Sequence, residues 1–271
     1  MKLDRRTFGG TLLLGAGAAL AGLPGQAAEA LAAPRTLRAT VLLDTASGRV
    51  LHRSGPCATR FTPCSTFKVP LALMGFDAGI LSDAHHPAWD YDPKRDAAHR
   101  ADERARTDPT RWEAVSVVWY SQELTRKLGM RRFQAYVDRF GYGNRDLSGD
   151  PGKKDGLTRA WLGSSLKISP DEQVAFLRRM LAHRLVSAEA HAKAEAIIPR
   201  FAGSGGWAVQ GKTGSGPLPD GSLLGWFVGW ADKGGRRVVF AQFGAGEGMM
   251  EFGGKQMRED LLANIGRLAG V

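Results

Sequence analysis

The sequence is poor in the residues that ligate metals or staple small folds. Two cysteines, Cys57 and Cys64, and six histidines are spread over 271 residues without a Cys-x-x-Cys or His-x-His pairing. That is too little for a zinc module or a cysteine-built scaffold, so no metal is expected. Charge of one sign is not segregated either. The 37 Lys and Arg against 27 Asp and Glu leave a formal net charge of +10. Yet the most charged stretch, from Asp90 to Arg111, interleaves Asp92, Asp96, Asp102, Glu103 and Asp108 with its bases. Such a pattern describes a solvated mixed-sign surface rather than the basic stripe of a nucleic-acid binder, and no nucleic-acid partner is expected. With 43% hydrophobic and 24% charged residues, the chain falls outside the disordered, collagenous and multi-spanning classes. Its length fits one large domain or two closely packed subdomains.

Residues 1–30 differ from the rest. Arg5-Arg6 follows Lys2, an apolar Gly- and Ala-rich run extends from Phe8 to Gly22, and Ala28-Glu29-Ala30 offers a small-residue cleavage site. This order reads as a twin-arginine export signal, with the mature chain beginning near Leu31. The apolar run is shorter than the roughly 20 residues that span a bilayer, so stable membrane insertion is not expected. The segment holds three basic and two acidic side chains, so the mature chain keeps +9. Export places Cys57 and Cys64 in an oxidising compartment, where two nearby thiols tend to pair; a local disulfide is expected, the alternative being two free buried thiols.

Alternation from Leu37 to Leu43, a Thr45-Ala46-Ser47-Gly48 turn and a second run from Arg49 to Arg53 predict a β-hairpin. Helical spacing recurs over Phe67–Ile80, Val115–Leu128 and Phe133–Phe140, with Gly79, Gly129 and Gly141 as stops. Ser169-Pro170-Asp171-Glu172 is a capping box with proline at the first helical position, and Ser187 caps another helix. After Pro199 come three strand-like runs, Trp207–Lys212, Leu223–Ala231 and Arg237–Phe243, then a helical pattern over Lys255–Leu268. Strands at both ends around a block of helices predict an α+β fold. In it an antiparallel sheet built from both chain ends (about 35–64 and 200–271) sits beside an inserted helical subdomain (about 65–199) in one catalytic domain, 31–271. The polar 85–111 stretch reads as an excursion near the cleft between them.

Ser65-Thr66-Phe67-Lys68 opens the first helix, and its i, i+3 spacing puts a hydroxyl and an amine on one face. Ser164-Ser165-Leu166-Lys167 has the same spacing but sits in a loop, and we read it as structural. Ser116-Val117-Val118, Tyr142-Gly143-Asn144, Trp161-Leu162, Lys212-Thr213-Gly214 and Gly225-Trp226-Phe227-Val228-Gly229-Trp230 follow in order. In this order and at these separations, the motifs resemble those of the penicillin-recognising serine enzymes, and specifically the class D serine β-lactamases, the oxacillinase group. The resemblance spans most of the mature chain.

The resemblance implies a serine β-lactamase/penicillin-binding transpeptidase-like fold and hydrolysis of the β-lactam ring of penicillin-type substrates through a Ser65 acyl-enzyme. It implies that Lys68 reacts with carbon dioxide, supplied as bicarbonate, to give an N6-carboxylysine that is the general base for acylation and deacylation. No other cofactor is implied. Chemically, lysine must be neutral to accept a proton, and apolar Val118 and Trp161 help desolvate it. Trp161 would donate its indole N–H to that carbamate; the alternative is a core aromatic. Ser116 would relay a proton to the leaving nitrogen, supported by Lys212. Thr213, Gly214, Ser215 and Arg258 would bind substrate, and the backbone N–H groups of Ser65 and Ser215 would form the oxyanion hole. Arg258 reads equally as a surface charge, and Tyr142-Gly143-Asn144 equally as a helix-ending turn. Ser215-Gly216-Pro217 departs from the family, where many members carry an aromatic at the Ser215 position. The rival readings are a penicillin-binding peptidase or a β-lactam sensor domain, each acylated without turnover; Val118, where such peptidases place Asn, argues against the first.

Overall fold

Two runs of alternating residues set the frame. In the computed structural model, which describes residues 36–98 and 100–270, strand β1 (Leu37–Asp44) pairs with β2 (Val50–Ser54) as the expected hairpin. The later strands are β3 (Arg200–Gly203), β4 (Trp207–Pro217), β5 (Leu223–Lys233) and β6 (Arg236–Gly246). They complete one antiparallel sheet in the order β2-β1-β6-β5-β4-β3, so the two chain ends meet where β1 pairs with β6. The export signal expected over residues 1–30 lies outside the described residues.

The period-2 rule sorts the sheet onto two cores. Leu224, Trp226, Val228 and Trp230 of β5 and Val239, Ala241, Phe243 and Ala245 of β6 join the core shared with the central helices. Their in-between neighbours, Phe227, Ala231, Val238 and Phe240, face a second core completed by Met257, Leu261 and Ile265 of the last helix, α7 (Gly253–Leu268). Burial on both faces explains why β5 reads as an unbroken apolar run rather than as a clean alternation.

The inserted helices are α1 (Lys68–Asp77), α2 (Pro109–Val115), α3 (Val118–Phe140), α4 (Gly156–Arg159), α5 (Pro170–Leu181) and α6 (Ala188–Ile197). The capping box at Ser169 forms in both directions, and Ser187 Oγ accepts from Ala190 N–H. Gly129 interrupts the helical backbone as expected: at φ 71° and ψ 154° it is non-helical, and α3 is two helical segments joined there by a kink. A helix does not, however, begin at Val115. Asp108 caps and Pro109 opens α2, which ends there, and Ser116, with φ 68°, turns the chain into α3. Pro70 sits in the first turn of α1, where a missing backbone donor costs little. Among the described residues no helix is long and apolar enough to cross a membrane.

Candidate active site

Ser65 lies in a 3-10 turn, Cys64–Phe67, that runs directly into α1. Cys64 enters it with φ 49°, an uncommon conformation for a residue with a Cβ, fixed by two backbone anchors. Cys64 N–H donates to Trp161 O at 3.0 Å, and Trp226 Nε1 donates to Thr62 O at 3.0 Å. Strand β4 passes close by because Gly214 has no Cβ; one there would lie 2.8 Å from Pro63 O. The turn thus presents Ser65 half-buried, with Lys68 Nζ donating to its Oγ at 3.1 Å.

Lys68 is fully buried, and Lys212 is 2% exposed. Lys212 Nζ donates to Ser116 Oγ at 2.9 Å, which places the second Ser-Lys pair across the floor of the site from the first. Burial, together with the positive charge of Lys212, pulls the Lys68 amine down to about 7. Burial likewise lowers Lys212 to about 8, against the attraction of Glu113. The first lysine is therefore able to be neutral near neutral pH, as a proton acceptor must be.

Ser65, Ser116, Val118, Thr213, Ser215 and Arg258 line one cleft of about 600 Å³, with Arg100 and Glu103 from the 85–111 excursion on its wall. This volume suits a small molecule. Ser215 Oγ accepts from Gly254 N–H at 2.9 Å, so the start of α7 fixes the end of β4. Arg258, on α7, is partly exposed and stacks its guanidinium over Phe201, 5.0 Å from the ring centroid. Lys68 and Trp161 lie beneath the floor. Trp161 is fully buried, stacked on Phe67 at 5.5 Å and edge-on to Phe133 at 6.1 Å, and its Nε1 has no hydrogen-bond partner among the described residues.

Two motifs separate from the site. Asn144 accepts from Lys167 N–H and donates to Ser165 O, so Tyr142-Gly143-Asn144 and the second Ser-x-x-Lys brace each other as a loop. Ser165 Oγ donates to Asp146 O. Tyr142 is buried edge-on against Phe67, behind the nucleophile turn.

The expected disulfide does not form: Cys57 and Cys64 are both free, buried thiols. Cys57 Sγ donates to Ser54 O at 2.9 Å, at the end of β2. Cys64 Sγ packs where a Cβ on Gly216 would stand 2.8 Å away, against β4. Each thiol has thus been drawn to a different strand, and a disulfide demands Cβ vectors that converge. Burial pushes the Cys64 thiol up to about 12, so it is not a reactive thiolate.

Glu113 was missed by sequence reasoning. It is fully buried on α2, and burial raises its carboxyl to about 7 against the pull of Lys212 and Lys68. Its signal was present: an acidic residue between Trp112 and Ala114-Val115, where carboxylates are rarely buried without a task.

The chain is similar over nearly its whole described length to known proteins. The penicillin binding protein transpeptidase domain matches residues 38–265. β-Lactamase OXA-9 of Klebsiella pneumoniae is 47% identical over 244 residues, covering 87% of this chain and 89% of the relative. β-Lactamase OXA-1 of Escherichia coli is 41% identical over 189 residues, 68% of this chain and 66% of the relative. Among solved structures, the crystal structure of the class D β-lactamase OXA-427 superposes with a TM-score of 0.79 at 43% identity, covering 85% of this chain and 97% of that one.

Proposed function

The chain belongs to the class D serine β-lactamases and hydrolyses the β-lactam ring, and we propose that it does so through an ester on Ser65 Oγ, with Lys68 as the residue that handles the serine proton. The observation that carries this reading is the 3.1 Å contact between Ser65 Oγ and a lysine amine with no access to water. An ammonium there could not accept a proton, and burial favours the neutral amine.

A buried N–H without an acceptor costs on the order of 1–3 kcal/mol. The indole of Trp161 carries such an N–H, stacked on Phe67 next in sequence to Lys68. An anionic acceptor on Lys68 would satisfy it, so the pocket fits carbon dioxide bound to Lys68 as a carbamate. When formed, that group supplies the general base for both acylation and deacylation.

The remaining roles follow from the chain's own groups. Ser65 Oγ attacks the ring carbonyl, and the backbone N–H groups of Ser65 and Ser215 hold the oxygen as charge develops on it. As the ring C–N bond breaks, Ser116 gives the nitrogen a proton. Lys212 Nζ, 2.9 Å from Ser116 Oγ, favours this transfer and attracts the substrate carboxylate. Thr213, Gly214 and Arg258 complete the carboxylate side of the cleft, and Val118 keeps the base side apolar. Residues 1–30 serve as a cleaved twin-arginine signal, delivering 31–271 as one catalytic domain to the periplasm.

Lys68→Ala tests the proposal. Penicillin turnover should fall by at least about 10²-fold, the range lost with a general base, and intact-mass measurement should show any acyl adduct persisting on Ser65. A variant that turns over at the wild-type rate overturns it.

A further inference from the structure

A third ionisable side chain lies buried within electrostatic reach of the two lysines. Glu113 is fully buried, one turn before Ser116 on the helix whose C-terminal residue Ser116 caps. Neither carboxyl oxygen has a hydrogen-bond partner among the described residues. Burying a carboxylate this way is costly unless nearby opposite charge or a bound proton offsets it.

The charges around it are few. Lys68 on α1 and Lys212 on β4 are the two that act on it, both attractive. The turn 101–104 brings Glu103, which acts on Lys68 and is itself paired with Arg100 at 2.8 Å; Arg100 in turn repels Lys212. Arg258 on α7 repels Lys212 from the other side, and the Cys64 thiol lies near Lys68. Of the helices packed on α2, α3 directs Glu123 to Lys127 and Arg126. On α6, His191 bonds Ser187 O, and burial holds it below its ordinary range, hence neutral.

Charge balance then fixes what Glu113 must do. With Lys68 neutral and Lys212 cationic, a Glu113 carboxylate makes the dry floor neutral overall. When the Lys68 nitrogen pair bonds to the carbon of carbon dioxide, a C–O π pair moves onto oxygen and the nitrogen loses one proton. The floor gains a negative charge, and it returns to neutrality only if that proton stays. We propose that Glu113 is the internal acceptor of the proton released when carbon dioxide adds to Lys68, an inference that rests on the carbamate reading above. Glu113 is thus a positioning residue for charge; it does not touch substrate.

The experiment is carbon-13 NMR of the carbamate in the mature protein, titrated with dissolved ¹³C-labelled carbon dioxide from pH 7 to 8.5. The slope of log affinity against pH counts protons released. Wild-type protein should give a slope near or below zero, because the proton remains inside. Glu113→Gln should release it, so that the ratio of variant to wild-type affinity climbs about tenfold per pH unit. A wild-type slope of one overturns the inference by itself, whether or not the variant folds. A folded variant whose curve parallels the wild type overturns it too, because the proton then stays inside without Glu113. A wild type without any carbamate resonance overturns the Lys68 reading and this inference with it, which separates the two failures.

Discussion

Lys212 Nζ donates to Ser116 Oγ at 2.9 Å, a bond that ties the middle of β4 to the residue where α2 hands over to α3. Ser116 pays for its place with a left-handed backbone, φ 68°, that a residue with a Cβ seldom adopts. The bond thus brings an ammonium from the sheet to a hydroxyl from the helices, while Lys68 brings a buried amine to Ser65 within a single turn.

The two lysines predict a narrow pH profile. Only the neutral Lys68 amine can add carbon dioxide to become the base, so kcat/KM rises with pH through about 7, where the amine loses its proton. Lys212 works as a cation, so the rate falls again above about 8. These limbs belong to the interacting set rather than to either lysine alone. A profile that stays flat from pH 6 to 9 at saturating bicarbonate would contradict the assignment.

Trp161→Phe separates packing from hydrogen bonding at one position. Phenylalanine keeps a ring against Phe67 and Phe133 and removes an N–H that has no partner among the described residues, so thermal stability should hold. A hydrogen bond to an anion is worth about 1.5–3 kcal/mol. The bicarbonate concentration for half activity should therefore rise by roughly 10- to 150-fold. An unchanged requirement would show the indole to be a core aromatic only.

The cysteines predict insensitivity to reductant. Dithiothreitol should leave activity and melting temperature unchanged. A thiol reagent should find two groups after unfolding and none in the native protein, because both thiols are buried. Absence of free thiols in the unfolded protein would restore the disulfide.

Much of this arrangement was legible in the chain. The β1–β2 hairpin, the Ser169 capping box and the last helix are written in local signals: alternation, a cap three residues before a glutamate, and a sustained 3.6-residue period. What escaped was decided at longer range or in very short elements. Strand β3 has four residues, and α2 has seven within a polar stretch, too few for periodicity to register. Export chemistry favoured pairing Cys57 with Cys64, but nothing local records that their side chains turn toward different strands. In the site, the sequence named Ser65, Ser116, Val118, Thr213, Ser215 and Arg258, which the fold brings to one cleft. Glu113 was not named, because its meaning depends on lysines on α1 and β4 that only the folded chain brings to it.

The most direct test is steady-state hydrolysis of a chromogenic cephalosporin by residues 31–271, first with bicarbonate and then after removal of dissolved carbon dioxide. The account predicts many turnovers per enzyme that fade as carbon dioxide is withdrawn and return when bicarbonate is restored. Turnover indifferent to carbon dioxide, or a single stoichiometric burst whatever the bicarbonate, would contradict it.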